Sequence, residues 1–168
     1  MLNKGTLCRV TRWLSEDQQR AWRRLAAVTM LLPAALESQL QRDADLTHFG
    51  YWVMAMLSEA PDRRIRMSEL AALSNGSQSR LSHLVTKLEE RGWVRRERVE
   101  GDGRGWVAVL TDAGHAKIVR TAPGHVEEVQ RLVFDALTPE QVTQLEEIHT
   151  AILARLSTRD PARAGSAA

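Results

Sequence analysis

"SELAALSNGSQSRLSHLVTKLEERGWVRRERVEGDGRGWVAVLT", residues 68 to 111, changes its apolar spacing once, at Gly92. Before that glycine Leu81, Leu84, Val85 and Leu88 fall at i, i+3, i+4 and i+7, the spacing of one helix face. Ser77 stands where an N-cap belongs, and Gly92 is a natural C-terminal stop. The turn dipeptide Asn75-Gly76 separates this helix from a shorter one, "SELAALS", for which Ser68 is the expected cap. Past Gly92 the period falls to two in "WVRRERV" and "WVAVL", with the glycine-rich "EGDGRG" between them, which predicts a β-hairpin.

Working outward, "SEDQQRAWRRLAAVTMLLPAALESQLQRD" opens on a capping-box pair, Ser15 and Gln18, and continues as a long amphipathic helix. Pro33 inside it is expected to kink or split it. Thr47 caps the next helix, which ends before Pro61 and has Phe49, Trp52, Val53, Met56 and Leu57 as its expected buried set. "PDRRIR" reads as a basic loop. Thr111 starts another helix that Pro123-Gly124 should interrupt, and Thr138-Pro139 starts the last, striped by Val142, Leu145, Ile148, Ile152, Leu153 and Leu156. The tail from 158 to 168 is small and polar, which predicts disorder.

Two helices around a tight turn, followed at once by a two-stranded ribbon, make a winged helix-turn-helix, so the fold class is mainly α with a small β-hairpin wing. With the apolar stripe of the 77–91 helix facing the core, Ser79, Ser82, His83 and Thr86 must face away, with Gln78, Arg80 and Lys87 on the flanks. Glutamine matches the edge of adenine, arginine that of guanine, and hydroxyls serve either. Acids enter this helix only at Glu89 and Glu90, where a recognition helix would be leaving the DNA.

The 168 residues are 43% hydrophobic and 26% charged, consistent with one globular domain, and the net charge is only +2. Its distribution is uneven. Residues 1–24 hold six Lys/Arg against two acids and residues 62–106 ten against seven, whereas 25–61 and 107–168 are net acidic. The basic excess therefore coincides with the helix-turn-helix and hairpin and with the N-terminal arm.

The stretch "MSELAALSNGSQSRLSHLVTKLEERGWVRRERVEGDGRGWVAVLTDAG" resembles the DNA-binding core of the MarR family of bacterial transcription regulators. The matching pieces are Leu70-Ala71, "LEERGWVRR", Asp102-Gly103-Arg104 and "LTDAG", in order and at family spacing, and the flanking helices extend the likeness to roughly Ser15–Leu156. The resemblance divides the chain into an arm (1–14), a MarR-type domain (15–157) and the tail. The domain has a winged core at about 46–112 between dimerisation helices at about 15–44 and 112–157.

The resemblance implies a homodimeric repressor of its own or a neighbouring operon that reads an inverted repeat in double-stranded DNA, with half-sites roughly 34–36 Å apart. Its DNA contacts would come from Ser77, Gln78, Ser79, Arg80, Ser82, His83, Thr86 and Lys87, with Arg104 in the minor groove oriented by Asp102. Gly103 and His83 stand where many relatives carry longer basic donors, which removes cationic contacts. Many relatives release DNA on binding a small aromatic ligand, and Trp22, His48, Tyr51 and Trp52 are the candidate effector pocket. A ligand-independent or redox-responsive regulator of the same fold is the alternative.

Other chemistries find little footing. Cys8 is the only cysteine, so no intrachain disulfide can form and no second thiol can resolve an oxidised one. His48, His83, His115, His125 and His149 never pair at i, i+4, so neither a metal nor a cofactor is expected. Gly101, Gly103 and Gly105 lead into a strand rather than a helix, unlike a phosphate-binding turn, and no nucleophile elbow or P-loop is present. A winged helix used only for protein contacts would carry acids on the outer face of the 77–91 helix, opposite to what "SQSRLSH" offers. Without a signal peptide or membrane span, a cytoplasmic protein is expected.

Overall fold

The computed structural model describes residues 11–99 and 105–157. Cys8, the wing-tip residues Asp102, Gly103 and Arg104, and the tail lie outside them. The chain divides into two compact units, residues 1–34 and 35–168.

In the first unit, helix α1 (Glu16–Ala44) starts at the expected capping box. The Gln18 amide donates to Ser15 Oγ at 3.2 Å and the Ser15 amide to Gln18 Oε1 at 3.0 Å. Of the two outcomes expected at Pro33, the split does not occur: α1 runs through it to Ala44. A proline removes one ladder bond, and the turns on either side carry the helix across the gap. Trp13, Trp22, Val28, Met30 and Leu31 are all exposed.

The second unit continues with α2 (His48–Glu59), β1 (Arg64–Arg66), α3 (Met67–Leu73), α4 (Gln78–Glu90), β2 (Val94–Arg98), β3 (Trp106–Leu110), α5 (Asp112–Leu132) and α6 (Pro139–Ser157). The hairpin strands β2 and β3 pair as the spacing predicts, in the register Val94↔Leu110 to Arg98↔Trp106. The "PDRRIR" segment is not wholly a loop, because Arg64–Arg66 adds a third antiparallel strand on the other side of β3. Three residues are too short for a period to be read, and the pairing depends on where β3 lies in space.

Thr47 caps α2 as expected, its Oγ1 accepting from the Gly50 amide at 2.9 Å, while Glu37 takes the His48 amide at 2.6 Å. The buried face of α2 is rotated from the expected one: Gly50, Tyr51, Val53, Met54 and Leu57 are inside, whereas Trp52 is 49% exposed. Gly50 lies inside, where a side chain would meet the Thr47 hydroxyl at 2.9 Å and Leu84 of α4 at 3.6 Å. The largest aromatic was thus a poor guide to the core face.

Ser68 does not cap α3. The helix starts at Met67, straight out of β1, with Arg66 as N-cap and no side-chain capping bond. Ser77 does cap α4, accepting the Arg80 amide at 3.2 Å. Leu81, Val85 and Leu88 of α4 are buried, each contributing roughly 2 kcal/mol of apolar burial. The core joins them to Leu40, Val53, Met54, Leu57, Leu70, Val94 and Ala108.

The Pro123-Gly124 pair does not interrupt α5, which is one helix from Asp112 to Leu132. Ile118, Thr121 and His125 on its buried face span the dipeptide, and packing of that face outweighs the local cost of the two residues. Thr111 caps α5, and Thr138 and Gln141 form a reciprocal capping box at α6. The stripe expected on α6 faces outward: Ile148, Ile152, Leu153 and Leu156 are exposed.

Candidate nucleic-acid interface

The turn between α3 and α4 is built on two different backbone needs. Asn75 takes the left-handed conformation, φ 52°, which asparagine tolerates better than most residues. Gly76 is needed for space, since a Cβ there would lie 2.8 Å from the Phe49 ring.

On α4, Gln78, Ser79, Arg80, Ser82, His83 and Lys87 are exposed together on the outer face. Ser77 is exposed but already engaged as the cap. The Arg80 guanidinium lies over the Phe49 ring, 4.2 Å from its centroid. Thr86 is half-buried, and its hydroxyl donates to the Ser82 carbonyl at 3.1 Å while accepting from Arg96 at 3.2 Å.

Arg96 was not singled out from the sequence, yet it ties the hairpin to the helix. Its amide donates to Glu89 Oε1 at 2.7 Å and its Nε to Glu89 Oε2 at 2.8 Å, so the helix's first acid is held and neutralised. The two lie seven residues apart across the Gly92 turn, a separation that carries no helical or strand signature. Arg91, the C-cap of α4, fixes the same end of the helix to the loop before α2, donating to the Asp45 carbonyl at 2.6 Å and pairing with its carboxylate at 3.0 Å.

Between α4 and the sheet runs an open groove of about 460 Å³ whose lining includes Arg66, Ser68, Gln78, Ser82, Arg96 and Trp106. Its polar groups are hydroxyl, amide, indole and guanidinium, with no acid among the lining residues. On the sheet, Glu97 bonds to Arg95 at 2.8 Å and Arg64 at 3.1 Å. The Arg95 hydrogen bond, with the charges of both arginines, holds its carboxyl below the usual range. Arg98 stacks on Trp106, its partner in the ladder, at 4.3 Å.

The candidate effector residues are only partly gathered. Tyr51 is buried and its ring packs on His125 at 4.3 Å between centroids, with His48 6.0 Å from the same ring. His125 Nδ1 meets Gln39 Oε1 at 3.2 Å, and Gln39 donates on to Asp43 at 3.0 Å. Burial lowers the pKa of both histidines; the neighbouring His48 lowers His125 further, while Glu37 partly opposes the shift in His48. Burial likewise raises the Tyr51 phenol. Trp52 points to solvent, and Trp22, 59% exposed, belongs to the N-terminal unit. His125 and Gln39 escaped the sequence reading because a polar residue on a helix reads as surface until a partner is brought to it.

Among the described residues no cluster of His, Cys, Asp or Glu could hold a metal, and no helix is long and apolar enough to cross a membrane.

Comparison with known proteins agrees with this geometry. A sequence model of the MarR family matches residues 46–105. The transcriptional repressor MprA of Escherichia coli K12 is 27% identical over 106 residues, 63% of this chain, and the match spans 60% of that repressor's own length. Among solved structures, Sco3205 of Streptomyces coelicolor, a MarR family transcriptional regulator crystallised in complex with DNA, is 48% identical. The match covers 85% of this chain and 90% of that one, with a TM-score of 0.83. AbsC, a MarR family regulator of the same organism, is 42% identical, with 87% and 98% covered and a TM-score of 0.82. With the winged helix-turn-helix in place and likeness of this extent along nearly the whole length of Sco3205, the chain belongs to the MarR family of transcriptional regulators.

Proposed function

We propose that this regulator works as a homodimer on double-stranded DNA, placing α4 of each copy in successive major grooves of an inverted-repeat operator and repressing its own or a neighbouring operon. The observation that carries this reading is the outer face of α4. Gln78, Ser79, Arg80, Ser82 and His83 stand exposed without an acid among them, and Glu89, the first acid of the helix, is neutralised by Arg96. Such a face suits base edges in its first two turns and phosphates at Lys87. Arg104, oriented by Asp102, is the proposed minor-groove contact of the wing.

Support for the dimer comes from the apolar residues left uncovered on α1 and α6, which a second copy would bury across a two-fold axis. The DNA complex of Sco3205 and the repressor name of MprA support the partner and the sign of regulation. Release by a small aromatic ligand belongs to the same proposal. Its contacts are assigned to His48 and Tyr51 on α2, whose rings gather at that of His125, on the chemistry of polar ring edges beside apolar faces.

A mobility-shift assay at two salt concentrations, using the DNA upstream of the reading frame against scrambled duplex, tests this. Gln78→Ala is expected to lose about 1 to 3 kcal/mol on the preferred site only, and Lys87→Ala to weaken every duplex and flatten the salt dependence. No preference of the unaltered protein for any inverted repeat would defeat the proposal.

A further inference from the structure

Arg80 sits in the first turn of α4, where the side chains of a recognition helix reach deepest into the groove. It is long and exposed, and a free arginine at such a place gives up about as much rotamer freedom as any side chain when it docks. Here it is already held. The guanidinium carbon lies 4.2 Å from the centroid of Phe49, the second residue of α2. Phe49 is itself fixed by the turn, with its ring edge filling the space that a side chain at position 76 would need.

Resting on the reading of α4 as the base-reading helix, we infer that Phe49 is a positioning residue for sequence recognition, which presents the Arg80 guanidinium to a guanine. The chemistry of the two contacts makes this consistent. An aromatic ring attracts the flat face of a guanidinium, whereas all five N–H donors lie in its plane and point outward from the edge. A guanidinium lying flat over Phe49 leaves the fork that pairs with guanine O6 and N7 unused and oriented. A lysine could not be held in this way while keeping a bidentate edge. The arrangement also assigns Gly76 a role beyond the turn: any larger residue there would push the Phe49 ring off its place and with it the arginine.

The experiment uses the full chain and duplex sites selected by the unaltered protein from a random pool, each then compared with versions in which single guanines are replaced. Five variants are assayed: Phe49→Leu, Phe49→Tyr, Arg80→Ala, Gln78→Ala and the Phe49→Leu/Arg80→Ala double variant, with thermal melts to confirm folding. Phe49→Leu is expected to reduce discrimination about three- to tenfold at the guanine where Arg80→Ala abolishes it, and nowhere else. Phe49→Tyr, which keeps the aromatic face, is expected to restore it, and Phe49→Leu is expected to add nothing in the Arg80→Ala background. Unchanged or improved discrimination in Phe49→Leu overturns the inference, as does a uniform loss on all duplexes or a further loss in the double variant. If Arg80→Ala changes no base preference while Gln78→Ala still does, the positioning role falls but base reading by α4 stands. If neither variant changes any preference, the reading of α4 itself has failed.

Discussion

Arg96 on β2 and Glu89 on the last turn of α4 form a two-point contact, with side-chain nitrogen and carboxylate oxygen 2.6 Å apart and both side chains mostly covered. The amide of Arg96 adds a third bond to the same carboxylate, and its guanidinium also reaches Thr86. The hairpin and the recognition helix are thereby fixed to each other at the point where an unpaired acid would face an approaching phosphate.

Breaking this contact should therefore be felt twice. Arg96→Met leaves a largely covered carboxylate without its cation and is expected to cost about 1 to 3 kcal/mol in urea denaturation. It should also weaken DNA binding on every sequence. Glu89→Gln, which can still accept the Arg96 amide, is expected to cost less, and combining the two should recover part of the Arg96→Met loss. Strictly additive losses would show that the two side chains are not coupled.

Gly114, in the first turn of α5, lies under the carbonyl of Trp93, where a Cβ would come within 2.1 Å of the oxygen. Nearby, Thr111 Oγ1 donates to the Gly92 carbonyl at 2.7 Å and accepts the Gly114 amide at 3.0 Å, so the hairpin entrance and α5 are clamped together. Gly114→Ala is expected to lower stability by about 2 to 4 kcal/mol because the obstacle is backbone. Gly124→Ala, whose Cβ would meet only the end of Gln39 at 3.9 Å, should be neutral or slightly stabilising by the helix propensity of alanine. Equal denaturation midpoints for the two variants would contradict this packing.

His125 and His48 predict an acid-side loss of stability. Burial depresses both pKa values below the ordinary 6.5, so the unfolded chain takes up protons that the folded chain refuses. The contribution is complete above pH 6.5, falls as the pH drops below it, and levels off beneath the folded values. Melting temperatures measured from about pH 7.5 down to 5.5 should fall, with Glu37 moderating the part due to His48, and His125→Gln should flatten the slope. A pH-independent melting temperature in the unaltered protein would refute the assignment.

Ile148 is 55% exposed in the isolated chain, and its neighbours Ile152, Leu153 and Leu156 on α6 are exposed with it. Ile148→Glu should leave the fold of one chain intact by circular dichroism, yet shift sedimentation from dimer to monomer and remove binding to a full inverted repeat. A variant that sediments as the unaltered protein does would remove α6 from the proposed interface.

The caps were legible because they are local: Ser15, Thr47, Ser77, Thr111 and Thr138 each need only the backbone three residues on. The α4 stripe and the hairpin period were legible for the same reason. The rotated face of α2 was not, because Trp52 and Met54 are both apolar and only the packing of α2 against α5 and β3, distant in sequence, decides which turns inward. Nor was the continuity of α5 through Pro123-Gly124, where the packing of Ile118, Thr121 and His125 overrides local propensity.

By itself, then, the sequence determined the order of helices, the hairpin and the polar outer face of α4, since each follows from spacing within a few residues. Tertiary structure alone decided that Arg96 neutralises Glu89, that Phe49 holds Arg80, that Arg64–Arg66 joins the sheet and that His125 meets Tyr51. Those pairings join residues from 7 to 74 positions apart, and attraction between side chains acts over a few ångströms whatever the chain length between them.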